Sequence, residues 1–223
     1  MNAPQPETAT PLVTPRTLVL CTLMALAAGY RLFVYFVPGL LPYNFTPIEA
    51  MALFGGACLS SRRLALLVPL AVMLLSDLVI AWSLPSSQVA DWYRMAPVVY
   101  GCIALTTVGA FALRGRVRAL NVLIAAIASA TGFYLVTNAM VWLLSGAYAA
   151  TGAGLAASLV AGLPFYQYGT LPGTLLWSGL RFCCFVVLLR HYNPCAAAPL
   201  PALACLPFRH AVRIVTSNRL PHV

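Results

Sequence analysis

NFTPIEAMALFGGACLSSRRLALLVPLAVMLLSDLVIAW, residues 44–82, is the stretch that decides the fold. A short apolar helix, the arginine pair Arg62–Arg63 and a longer apolar helix follow one another in it. Two of the four acids of the chain, Glu49 and Asp77, lie inside those helices. A carboxylate at the centre of a bilayer costs roughly 2.5–3.5 kcal/mol on insertion scales, so Asp77 is expected to face the protein interior and to have a partner there. The rest of the chain reads as a scaffold that holds this hairpin.

Working outward, the 223 residues are 61% hydrophobic and 8% charged, whereas soluble domains carry roughly 25% charged residues. Apolar runs of membrane-spanning length recur. The expected fold is therefore all-α, a polytopic membrane helical bundle forming one unit. There is no lysine, and all thirteen basic residues are arginine. A Walker A lysine and a Schiff-base lysine are thereby excluded. His191, His210 and His222 all lie beyond the last expected span, which removes a histidine base or a histidine-ligated metal from the bundle. The seven cysteines contain no CxxC pair and read as small packing residues rather than a disulfide framework. No cofactor, no metal and no catalytic residue is expected. An intramembrane enzyme using Glu49 and Asp77 as paired acids would lack a histidine, a lysine and a metal motif, so the chain is not expected to be an enzyme.

In chain order, residues 1–16 read as a disordered N-terminus, 17–190 as a six-span membrane domain and 191–223 as a basic tail on the membrane surface. The expected transmembrane helices are 17–37, 47–59, 64–82, 97–113, 119–144 and 171–189, with a polar loop over 83–96. Apolar sequence continuing to Val37 favours a retained first helix over a cleaved signal. Thr46, Pro47 and Glu49 form a capping box for the second helix. Residues 154–163 are apolar but too short to cross. With Pro164 as a stop, they predict a surface or re-entrant helix between spans five and six.

Six spans place both termini on one side. Arg16, Arg62, Arg63, Arg114, Arg116, Arg118, Arg190, Arg209, Arg213 and Arg219 then share that side, against Arg94 alone in an opposite loop. By the positive-inside rule that side is the cytoplasm, and the location is a bacterial cytoplasmic membrane. The net charge of +9 thus serves topology and contact with anionic membrane lipids, and nucleic acid is not an expected partner. Scattered polar residues now gather in the outer half: Glu49, Asp77, Asn138 with Tyr134 and Trp142 on the same helix face, Arg31 near the end of the first span, and Arg181 at mid-depth in the last. Each has two readings. Glu49 caps its helix or binds a ligand. Asp77 bridges to Arg181 or meets a ligand. Asn138 locks helices together or lines a pocket, and Tyr134 and Trp142 pack or stack on a solute. Arg31 is able to snorkel outward.

The blocks NFTPIEAMALFGGA, PLAVMLLSDLVIAW, FYLVTNAMVW and GLPFYQYGTLPGT resemble a bacterial integral-membrane family of unknown activity over about residues 30–180. The chain departs from that pattern at Thr174, where the resemblance implies the acid of a Gly-Asp pair. The six-span layout is also similar to the substrate-binding subunits of energy-coupling-factor transporters, a likeness of architecture alone. It implies capture of a small, vitamin-like solute in an outward-facing pocket, with docking on a transmembrane coupling subunit and ATPases. The alternative is a membrane protein with an assembly or lipid-organising role and no solute.

Overall fold

The second helix sits at the centre. In the computed structural model, which describes residues 15–37, 39–42, 44–59 and 61–192, the helices are α1 (Pro15–Phe36), α2 (Ile48–Cys58), α3 (Arg62–Ser83), α4 (Ser86–Gly109), α5 (Ala119–Leu144), α6 (Gly152–Phe165) and α7 (Leu171–Tyr192). The expectations for residues 1–14 and for the tail from 193 lie outside the described residues. No strand occurs among those described.

α2 has no polar face, and every residue from Glu49 to Cys58 is buried. Its eleven residues rise about 16 Å, half of a hydrocarbon core of about 30 Å. Each side of it seeds a separate cluster. Leu53, Phe54, Ala57 and Cys58 pack with Ala110, Leu113, Val122, Ala126, Phe182 and Phe185. Met51 packs with Met24 and Ala27 of α1, and Ala52 with Met73 and Ile103 of α3 and α4. The glycine pair makes this enclosure possible. A Cβ on Gly56 would strike the Thr107 carbonyl and Ala110, and one on Gly55 would press on Pro69 at 3.2 Å and Met24 at 3.3 Å. A helix that stops inside a bundle leaves carbonyls without partners. Arg114, in the turn before α5, answers one of them by donating from Nε to Gly56 O at 2.8 Å, with its guanidinium 4.4 Å from the Phe111 ring centre.

Among the described residues, four helices are long and apolar enough to cross a membrane: Arg62–Ser83, Tyr93–Leu113, Ala119–Leu144 and Gly152–Val187. Thr22–Phe36 and Ile48–Cys58 are shorter apolar helices. Leu67, Leu75, Leu105, Leu120 and Val187 are exposed, and Trp82 is 94% exposed. Water would not tolerate so much outward apolar surface; lipid requires it. The fold is a multi-pass membrane helical bundle.

Three local expectations change. The polar loop expected over 83–96 is helical from Ser86, because nothing between Pro85 and Pro97 breaks a helix. The N-cap of α2 is Pro47, with no side-chain cap. The Thr46 N–H is already bonded to Asn44 O at 2.8 Å, in a turn where Asn44 takes φ 63. Finally, Pro164 does not stop α6. The proline removes one donor and crowds the preceding turn, and the chain absorbs this by widening. The Tyr166 N–H bonds to the Gly162 and Leu163 carbonyls, a π turn covers Tyr166–Thr170, and α7 follows without a gap. Residues 154–163 therefore belong to the first part of the last long helix rather than to a separate surface element.

Candidate functional site

Three polar groupings lie inside the bundle, and they divide the expected site residues among themselves. The first joins α5 to α6. Tyr134, Asn138 and Trp142 share one face of α5, as their spacing predicts, and that face meets α6. Tyr134 OH donates to Leu159 O at 2.7 Å, and Trp142 Nε1 to Ala149 O at 2.8 Å. Asn138 Nδ2 donates to Tyr134 O at 2.8 Å, and Ser158 Oγ donates to the Asn138 carbonyl at 2.8 Å. The Asn138 amide rests where a Cβ of Gly162 would be. The Tyr134 and Tyr166 rings are 4.9 Å apart. The Tyr134 and Ser158 hydroxyls fasten α5 to α6, Trp142 ties α5 to the loop before α6, and the Asn138 amide bonds within α5.

The second grouping joins α1, α3 and α4. Asp77 is paired with Arg31, not with Arg181 as the sequence suggested. Arg31 also donates to Ser76 Oγ, and Tyr100 OH donates to Asp77 Oδ2 at 2.7 Å. Ser76 Oγ in turn donates a hydrogen bond to Met73 O at 2.8 Å. Arg31 is 9% exposed and Asp77 6%, so Arg31 does not snorkel outward. The reason is geometric: α1 packs along α3, and a carboxylate within reach is worth more to a guanidinium than a path to the surface. Beside this pair, bordered by Arg31, Pro47, Ile48, Met51, Met73 and Ser76, is a cleft whose free space of about 10 Å³ matches a single water.

The third grouping is the seam of α7 with α2 and α1. The buried stripe of α7 is polar: Thr170, Thr174, Ser178 and Arg181 are 4%, 0%, 1% and 2% exposed. Their spacing of four, four and three residues puts them on one helix face. At the top, Gly173 lets the backbones touch, with its missing Cβ 3.2 Å from Thr46 N. Glu49, 4% exposed, sets its carboxyl against the Thr174 hydroxyl and its own backbone N–H, with Glu49 Oε2 buried outside tight hydrogen-bond geometry. Ser178 Oγ and Arg181 Nη1 are buried without a partner, while Trp177 Nε1 and Tyr30 OH face each other. Trp177 and Tyr30 meet edge to face, 4.5 Å between ring centres. Lower down, Phe54 closes the seam against Phe182 and Phe185 at 5.4 and 5.3 Å. Buried polar atoms are ordinarily satisfied, so Glu49 Oε2, Ser178 Oγ and Arg181 Nη1, unmet along one helix boundary, are unusual chemistry for a bundle interior.

Of the expected site residues, only Glu49 and Arg181 belong to this seam. Asp77 is committed elsewhere, and Tyr134, Asn138 and Trp142 hold α6. Thr174 had been noted only as a departure from a pattern, and Ser178, Trp177 and Tyr30 were missed. The available signal was two hydroxyls four residues apart, ahead of an intramembrane arginine on the last apolar run.

A family model described as a family of unknown function, DUF6580, matches residues 12–202. No curated protein and no solved structure matches the chain.

Proposed function

We propose that this chain, which belongs to the DUF6580 family, is a small-solute uptake or substrate-binding subunit whose ligand is held in the α2–α7 seam. One observation carries the reading: the polar side chains of Tyr30, Glu49, Thr174, Trp177, Ser178 and Arg181 line one helix boundary, with Glu49 Oε2, Ser178 Oγ and Arg181 Nη1 left without close partners. Each unmet buried group costs about 1–3 kcal/mol. Groups that lower stability and converge on one place are the signature of a site built for something other than folding. The cleft beside Arg31, with about 10 Å³ of free space, is far below the roughly 300–1,000 Å³ of a ligand pocket. The arrangement is accordingly a closed one, and loading requires α7 to part from α2.

The proposed topology has six passes, counting α2 as a half-length pass and residues 152–192 as a single one. Both termini then lie in the cytoplasm of a bacterial cell, and the Glu49 end of α2 faces outward, on the strength of the arginine distribution. The chain carries no nucleotide-binding motif, so any ATP-driven step belongs to a coupling subunit and its ATPases, as in the transporters whose layout is similar.

The tightness of the bundle favours a second reading, a membrane protein that organises lipids or partners and holds no solute. Mass spectrometry of small molecules extracted from detergent-purified protein separates the two. The uptake reading expects a compound enriched in wild type and lost in Ser178→Ala and Thr174→Val variants that still elute as folded protein. A compound profile identical in wild type and variants would reject it.

A further inference from the structure

Four charged side chains are buried in the described bundle: Arg31, Glu49, Asp77 and Arg181. Arg31 and Asp77 neutralise each other. Glu49 and Arg181 are left, with opposite signs, in the same helix seam, and no ion pair or hydrogen bond joins them. Glu49 Oε2 and Arg181 Nη1 are each buried without a partner. Burying two opposite charges while leaving them apart forfeits the attraction that offsets their desolvation. The gap between them is not apolar. Thr174 faces Glu49, and Ser178 follows one turn further along the buried stripe. The Ser178 hydroxyl is also unmet. Side chains on a helix lean toward its N-terminus, so Arg181 reaches back along α7 toward Ser178. Thr174 and Arg181 are separated by about 10 Å along the helix axis, less the reach of the arginine.

From this we infer that the seam takes a small dipolar ligand, a zwitterion with an ammonium group at one end and a carboxylate at the other. The ammonium sits at Glu49 and Thr174, and the carboxylate at Ser178 and Arg181. Trp177 and Tyr30, in ring contact beside the same stripe, supply the wall along the ligand's apolar middle. The ligand supplies each protein charge with its missing counterpart, which neither a simple anion nor a simple cation does. The inference rests on the solute reading above and narrows its substrate class.

The test is thermal unfolding of the purified full-length protein in detergent, with a homologous series of ω-amino carboxylates from β-alanine to ε-aminocaproate and with 4-(aminomethyl)benzoate. The matched alkyl carboxylates and alkylamines serve as half-ligands. At roughly a hundred-fold excess over Kd, at least one zwitterion should raise the Tm of wild type by about 5–10 °C, while its two half-ligands do not. Glu49→Gln and Arg181→Gln should each abolish the rise. Should either variant fail to fold, Thr174→Val and Ser178→Ala test the same two ends, and the wild-type contrast needs no variant. A half-ligand that shifts Tm as much as its zwitterion, or a zwitterion rise retained in both charge variants, overturns the dipolar assignment and leaves the solute reading standing. No rise with any probe and no compound co-purifying with wild type overturns both, and assigns the unmet atoms to buried water.

Discussion

Asp77→Asn offers the sharpest test of the packing around α2. In the wild type the Asp77 carboxylate takes hydrogen bonds from Arg31 and, at 2.7 Å, from Tyr100. The two charged side chains are only 10% and 8% exposed. Removing one partner of such a pair leaves an uncompensated buried charge, a loss of about 3–5 kcal/mol. Tyr100→Phe removes one bond to a charged group and should cost about 1.5–3 kcal/mol. The double change Asp77→Asn with Arg31→Gln removes both charges, so it should be more stable than Asp77→Asn alone. Arg181→Gln should add its own cost to Asp77→Asn with no such recovery, because Arg181 is not the partner. Unfolding in mixed detergent micelles, followed by tryptophan fluorescence, reads these differences as a double-mutant cycle. An Asp77→Asn loss below about 1 kcal/mol, or rescue by Arg181→Gln rather than by Arg31→Gln, would refute the pairing.

Gly56→Ala should lose about 1–3 kcal/mol through overpacking, since its Cβ meets the Thr107 backbone and Ala110, whereas Gly29→Ala, in open space, should be neutral or slightly stabilising in the same assay. Gly162→Ala displaces the Asn138 amide and should loosen α6 from α5, read as faster hydrogen exchange over residues 152–165 while α2 stays protected. A cysteine placed at Ser86, at the start of α4, should be labelled by a membrane-impermeant thiol reagent from outside the cell; labelling only after the cytoplasm is opened would contradict the proposed orientation.

The membrane class and the central hairpin were legible from the chain because they rest on composition and periodicity. Length and hydropathy are enough to find α3 or α5. The pairing of Asp77 was not legible. Arg31 and Arg181 are equally plausible partners in one dimension, and only the packing of α1 along α3 decides between them. Pro164 misled for a related reason. A proline reads as a stop, yet a single lost donor is absorbed by a π turn when the residues on both sides are held by α5, and no local signal reports that support. The capping box failed because Thr46 was already committed to the turn at Asn44. At the site, Glu49 and Arg181 stood out as isolated charges. The hydroxyls of Thr174 and Ser178 did not, since serine and threonine are ordinary in membrane helices and gain meaning only when found buried in one seam.

The short, wholly enclosed α2 also bears on biogenesis. A segment of eleven residues is too short to cross a bilayer core of about 30 Å, and with Glu49 near its start it is a poor candidate for independent insertion. It has to enter alongside α1 and α3, with Met24 and Pro69 already pressed against its glycines. Its far side then waits for Phe182 and Phe185 of α7. Until the ribosome has finished α7, the centre of the protein is open on one flank with a bare carboxylate in it. Chains truncated before residue 171 should for that reason be substrates for membrane quality control rather than stable fragments.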